Sequence, residues 1–350
     1  MKKTMGKRRY ALIVVAMVLC LAVFLGGCGK KEKKLSSESL KEGELFRLNG
    51  TVCTKPEALV FVLSQKNRYE AGCGAGIWDV KVGERTFEEY MKENLQDFLV
   101  KMKCMALMAE QYEVEISDED DKRISQAASV YLEGLPDQVK KDTGIDKKTT
   151  ESVFREYYTA SLLMEKLTAD VSMEISEDEA RVITVQQIYV NTAGMDEAAK
   201  GQKRAELEGL LARVQAGDDF AVLAKDKNES DVFERELARG DAEQAFEAAA
   251  FALSMNEVSP VVETSDGLYL IRCVNNYDEA KTAQNKENLG KKHKADRFNE
   301  YYSAFVEQVT AVNNEGAWES LDYKGSYGLQ ETDFYLIYNQ YFPSSLTGNP

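Results

Sequence analysis

The sequence holds one histidine in 350 residues, His293. No serine or cysteine has a histidine neighbour in any motif, so triad-type nucleophilic hydrolysis has no carrier. His293 itself sits in a lysine-rich run and reads as a solvated residue. Cysteine is sparse too, six in all, with no CxxC and no metal-ligand spacing, so neither a metal site nor a cofactor is expected. Cys20 lies in the N-terminal leader and Cys28 closes it. Cys53, Cys73, Cys104 and Cys273 remain, open either to one disulfide, Cys53 to Cys73, or to buried thiols. Phosphate-binding glycine loops are missing. Gly72-Cys73-Gly74-Ala75-Gly76 does not follow a clear strand and open a helix, which makes it a turn. Basic charge is in deficit: 44 Lys+Arg face 59 Asp+Glu, a net charge of −15. Such a surface argues against a nucleic-acid partner.

What is present starts with the leader. Lys2, Lys3, Lys7, Arg8 and Arg9 form a positive segment without acids, followed by an apolar run from Ala11 to Leu25. That run suits a signal-peptide core and is short for a membrane span. Leu25-Gly26-Gly27-Cys28 matches the bacterial lipobox, so residues 1–27 are expected to be cleaved and Cys28 to carry a lipid. The protein is then expected on the extracytoplasmic face of the cell membrane, held there by Cys28. Loss of the five leader bases leaves 39 Lys+Arg against 59 Asp+Glu, a net charge of about −20. The roughly 320 residues that follow suffice for two domains.

Residues 28–42 are polar and charged, as a tether from a membrane requires. Residues 43–177 read as helical. Thr54 caps a helix with Pro56 in its first turn, and Phe87, Met91, Leu95, Phe98, Met102, Met105 and Ala109 recur at helical spacing. Further helices are expected from Ser117 and from about Thr149 to Leu167. These Met and aromatic stripes are read as core rather than as a peptide groove. The texture changes at Ile175. Val182–Val190 reads as a β-branched strand, then a helix from about Glu197 to Gln215, a short helix over Phe220–Lys225 and an extended piece over Val232–Leu237. A helix over Ala245–Leu253 and a strand over Leu268–Val274 complete a compact α+β region at 178–276. Residues 277–322 carry a long helix from about Thr282 to Val309, with Phe298, Tyr301, Tyr302, Phe305 and Val309 on one face. An aromatic tail closes the chain at 323–350.

Five segments in order resemble a parvulin-type peptidyl-prolyl isomerase domain: VQQIYV at 185–190, AGDDFAVLAKD at 216–226, ESD at 229–231, ARGDAEQAFEAAAFAL at 238–253 and NEVSPVVETSDGLYLIRCV at 256–274. With the lipobox and helical flanks, the whole resembles the PrsA-type and SurA-type foldases. The resemblance implies an α+β fold in which N- and C-terminal arms form a helical chaperone-like module with the parvulin-like domain inserted. It also implies an extracytoplasmic foldase whose partners are unfolded or newly secreted polypeptides with X–Pro bonds.

Rotation about an X–Pro bond must cross about 18–20 kcal/mol, and no bond is broken. The enzyme needs an apolar slot for the ring and polar groups that favour the twisted amide. On the family pattern Phe246 is the ring-packing residue and Phe251 the next aromatic, with Ala242 where the family has methionine. Asp231 takes the acidic position. Gln187 and Tyr269 replace the two usual histidines, and Thr264 keeps a hydroxyl beside them. Gln and Tyr donate hydrogen bonds without titrating near neutrality. Two readings stay open: a working isomerase, and a catalytically degenerate holdase or peptide-binding scaffold. A solute-binding lipoprotein would show two α/β lobes, where this sequence shows one small module.

Overall fold

The computed structural model describes residues 40–172, 174–325, 327–328 and 332–343. The expected signal peptide and lipidation site at Cys28 therefore lie outside the described residues.

In chain order, β1 (Glu44–Leu48) and β2 (Thr51–Thr54) make a hairpin. Its two-residue turn, Asn49-Gly50, has both φ angles positive, at 46° and 92°, the pairing that a type I′ turn demands. Helix α1 (Lys55–Cys73) follows, then α2 (Phe87–Gln111), entered through a hairpin of β3 (Lys81–Val82) and β4 (Arg85–Thr86). Next come α3 (Asp118–Glu133), α4 (Asp137–Thr143) and α5 (Lys147–Leu167), the first and last capped by Ser117 and Asp146. The central stretch holds α6 (Glu177–Ala180), β5 (Ile183–Asn191), α7 (Glu197–Gln215) and α8 (Phe220–Lys227). It continues through β6 (Glu234–Leu237), α9 (Gln244–Ala252), β7 (Val262–Glu263) and β8 (Gly267–Asn275). The chain then runs through α10 (Glu279–Val306), β9 (Ala311–Asn313), α11 (Glu315–Glu319) and α12 (Phe334–Tyr341).

The described residues fall into two compact units, one within 40–169 and 298–343 and one within 170–297. In the first, β9 pairs with β1 to give the sheet order β2-β1-β9, so the segments before and after the central unit share one sheet. They also share one core. Ala58 to Leu63 of α1 are each no more than 1% exposed, because α1 is covered by α2, α5 and α12. Phe298 and Tyr302 of α10, Trp318 and Leu321 join the same core.

Of the described residues set apart in the sequence as an aromatic tail, Tyr323, Phe334, Tyr335, Tyr338 and Phe342 are core residues here. Phe334 packs against Phe61 at 4.9 Å and Phe154 at 4.5 Å between ring centroids. Asp333 caps α12 through the Leu336 amide and takes a two-pronged ion pair from Arg68 at 2.8 and 3.1 Å. The physical reason is that aromatic rings bury large areas, and the helix N-cap and ion pair fix their register.

Cys53, Cys73, Cys104 and Cys273 are all thiols. Cys53 precedes α1 and Cys73 ends it, so about 27 Å of helix separates them, far beyond disulfide reach. Burial pushes the Cys53 thiol well above its ordinary pKa, which keeps it protonated.

The second unit is a four-stranded antiparallel sheet in the order β6-β5-β8-β7. Strand alternation divides its side chains between two faces. Ile188, Val190, Leu268 and Leu270 pack with residues of α7 and α8, whereas Ile183, Val185, Ile271 and Cys273 pack with Phe246, Ala250 and Phe251 of α9.

Candidate functional site

The site lies on the α9 face of this sheet. Odd-numbered residues of β5 and β8 turn that way, which brings Gln187, Tyr189 and Tyr269 to it together with Phe246. Tyr189 and Tyr269 are cross-strand partners, with ring centroids 4.8 Å apart. Phe246 meets Tyr269 edge-on at 5.0 Å. Gly267 makes this stack possible, since a Cβ there would stand 2.3 Å from the Val190 carbonyl oxygen and 2.6 Å from the Tyr189 ring.

The turn before β8 holds the rings' polar ends. The Tyr269 hydroxyl donates to Asp266 Oδ2 at 3.1 Å, and the Tyr189 hydroxyl to the Asp266 carbonyl at 3.0 Å. Thr264 Oγ1 lies 2.5 Å from Asp266 Oδ1. Glu243, the residue before α9, accepts from the Ser265 amide at 2.9 Å and the Ser265 hydroxyl at 2.7 Å, tying the turn to the start of the helix. Burial, and then the Asp266 carboxylate, push the Tyr269 hydroxyl well above the ordinary phenol range. It is therefore a protonated donor at neutral pH.

Gln187 is 4% exposed. Its Nε2 donates to the Val232 carbonyl at 3.0 Å, and its backbone N–H donates to the Phe233 carbonyl at 2.8 Å. The side chain thus holds the segment leading into β6, while its Oε1 is buried without a hydrogen-bond partner. Asp231 is exposed on that segment, and among the described residues no hydrogen bond or ion pair ties it to Phe246 or Tyr269. Ala242 is half-buried against the α9 cluster. Phe251 lies between two guanidinium groups, Arg239 at 4.2 Å and Arg181 at 5.0 Å from its ring centroid. The structure thus joins Phe246, Tyr269 and Thr264 directly through ring contact and the Asp266 turn, and adds Gln187 on the same face. Phe251 shares the α9 core cluster with Phe246, whereas Asp231 has separate surroundings.

Residues absent from the sequence reading complete the site. Arg235 of β6 places its guanidinium 4.4 Å from the Phe246 ring centroid, and Phe246 is 2% exposed. Tyr189, Asp266 and Glu243 were also not singled out. The Asp266-Gly267 turn was legible as a turn, but its side-chain role depends on register. No cluster of His, Cys, Asp and Glu capable of holding a metal occurs among the described residues. The chemistry present is an apolar aromatic wall, two phenols whose hydroxyls are held by the Asp266 turn and one guanidinium, which suits non-covalent binding of an amide.

Residues 174–287, which include this sheet and helix, match the PPIC-type PPIase domain, the parvulin class. The chain as a whole is PrsA-like. It is 24% identical over 288 residues to the foldase protein PrsA of Caldanaerobacter subterraneus subsp. tengcongensis, covering 78% of this chain and 86% of that protein. It is 25% identical over 256 residues to the foldase protein PrsA of Halalkalibacterium halodurans, covering 65% and 74% respectively. A crystal structure of the peptidylprolyl isomerase PrsA of Bacillus cereus is similar at 20% identity and a TM-score of 0.36, covering 71% of this chain and 90% of that one.

Proposed function

We propose that this protein is an extracytoplasmic foldase and chaperone that acts on unfolded or newly secreted polypeptides. The observation that carries the reading is the parvulin-type domain at 174–287, set between two segments that complete each other in one helical core. In this reading the protein is held to the extracytoplasmic face of the membrane by a lipid on Cys28. No helix among the described residues is long and apolar enough to cross a membrane.

At the site, the substrate's proline ring packs on Phe246 beside Ala242, with Gln187, Thr264, Tyr269 and Asp231 as the polar residues around the amide. Tyr269 turns its hydroxyl from Asp266 to the amide nitrogen as the amide leaves planarity, where the nitrogen lone pair is no longer delocalised into the carbonyl. Rotation is favoured only as far as these contacts are stronger to the twisted amide than to the planar one. No proton need be transferred, so replacement of both family histidines does not remove the means of turnover.

A second reading has its own observation. Phe246 is covered by Arg235 and almost fully buried, which fits a domain retained as a scaffold or peptide clamp in a holdase. The deciding experiment is a proline-peptide isomerisation assay, run beside suppression of aggregation of an unfolded client. Turnover above the uncatalysed rate establishes the isomerase. Aggregation suppression without turnover establishes the holdase, and loss of both overturns the foldase reading.

A further inference from the structure

Arg235 stands out among the arginines of its unit. Arg181, Arg204, Arg213, Arg239 and Arg297 each meet a carboxylate, and Arg272 hydrogen-bonds Gln186 and Asn256. The side chain of Arg235 alone has neither an ion pair nor a hydrogen bond among the described residues, and its Nε is buried without a partner. The strand explains why. Glu234 and Glu236 flank it in sequence, but alternation turns them to the opposite face, where Glu234 binds Gln186 and Glu236 meets Lys281. In a chain of net charge −15, this arginine makes no ion pair among the described residues and is stacked over the candidate proline slot. A buried guanidinium N–H left unpaired is costly, and a stack on Phe246 satisfies its charge but not its donors. Gln187 Oε1 is likewise buried without a partner on the same sheet face.

We propose that Arg235 is a specificity-determining residue of this site and selects proline segments that carry an acidic side chain beside the proline. A substrate carboxylate takes the free guanidinium N–H groups in a forked pair. In doing so it draws the guanidinium off the Phe246 ring and opens that face to the proline. With no acid beside the proline, the guanidinium stays on the ring and competes with the substrate for it. The proposal rests on the placement of the proline slot at Phe246, and not on whether the domain turns the bond over.

The test is binding of short proline peptides to the full chain, read by fluorescence anisotropy. The peptides are identical except for Glu, Gln or Lys immediately before the proline. Wild type is expected to bind the Glu peptide at least about tenfold more tightly than the Gln peptide, with the Lys peptide weakest. The preference should weaken as salt rises. In Arg235→Gln the Glu and Gln peptides should fall within about twofold of each other, with the Gln peptide binding no worse than to wild type. Arg235→Lys, which keeps the charge without the planar fork, should restore part of the preference. An unchanged amide NMR spectrum outside β6 and α9 shows that each variant is folded. If wild type binds Glu and Gln peptides equally, or if the preference survives in Arg235→Gln, the specificity proposal falls while the slot stands. If no peptide binds wild type or Arg235→Gln, both the proposal and the placement of the slot are overturned.

Discussion

Phe246 and Gln187 occupy the same face and do different work. In the proposed function Phe246 is the wall on which a proline ring packs, so on that reading Phe246→Ala removes contact surface that the twisted and planar forms use unequally. Full truncation of a buried phenylalanine costs about 3–5 kcal/mol of stability, but only the differential part reaches the rate. Isomerisation is expected to fall by an order of magnitude or more while client aggregation is still suppressed. An unchanged rate in a folded variant would displace the slot from Phe246. Gln187 is inside the sheet and holds the Val232 carbonyl, so its role is partly architectural. The combined variant Ala242→Met, Gln187→His and Tyr269→His is expected to raise turnover, since an imidazole at 187 can still donate to Val232 and methionine refills the slot. If neither wild type nor this variant turns over, catalysis has been lost and the holdase reading stands.

Between elements, the joint of interest ties α1, α2 and α5. Lys103 of α2 is 2% exposed and donates to Glu57 at 2.7 Å and Glu156 at 2.6 Å. Glu57 also accepts from the Thr54 amide at 2.6 Å, so one carboxylate closes the start of α1 and anchors the neighbouring helix. Burial raises the Glu156 carboxyl pKa above its ordinary value despite the lysine. Lys103→Met leaves two buried carboxylates without their cation, and a loss of about 3–5 kcal/mol is expected. The sign of its pH dependence follows from Glu156. A carboxyl whose folded pKa is raised favours folding at low pH, and that favour is lost as pH rises through the folded value. The variant should therefore be hurt more at pH 8 than at pH 5 in urea unfolding. An equal loss at both would remove Glu156 from the account.

For the whole molecule, division into two units predicts separable folding. Replacing residues 170–297 by a flexible linker should leave a helical protein with cooperative unfolding, because β9, α11 and α12 complete the core begun by β1 to α5. Circular dichroism and limited proteolysis decide it, and a molten product would mean that this core depends on the central unit. At the N-terminus, Cys28→Ala should abolish lipidation and release the protein from the membrane fraction. Mass spectrometry finding an unmodified Cys28 in mature protein would remove the anchor.

Local sequence determined much of this protein. The helix Glu197–Gln215 was legible residue for residue, because its acidic N-cap and the glycine beyond its end are local signals. The strand Leu268–Val274 was legible to within one residue at each end, because period-2 patterning and the preceding Asp-Gly turn act over a few residues. Phe246 was singled out only through the family pattern, as its ring-packing residue. The pairing of β9 with β1 was not, since three residues carry no address for a partner about 260 positions away. The packing of Phe334 against Phe61 and Phe154 was equally hidden. Arg235 shows the difference most plainly. In the sequence it is one arginine between two glutamates, ready to pair with either. Only strand alternation, which sends both glutamates to the far face, and the folding of α9 over the near one, leave its charge on an aromatic ring and without an ion pair among the described residues.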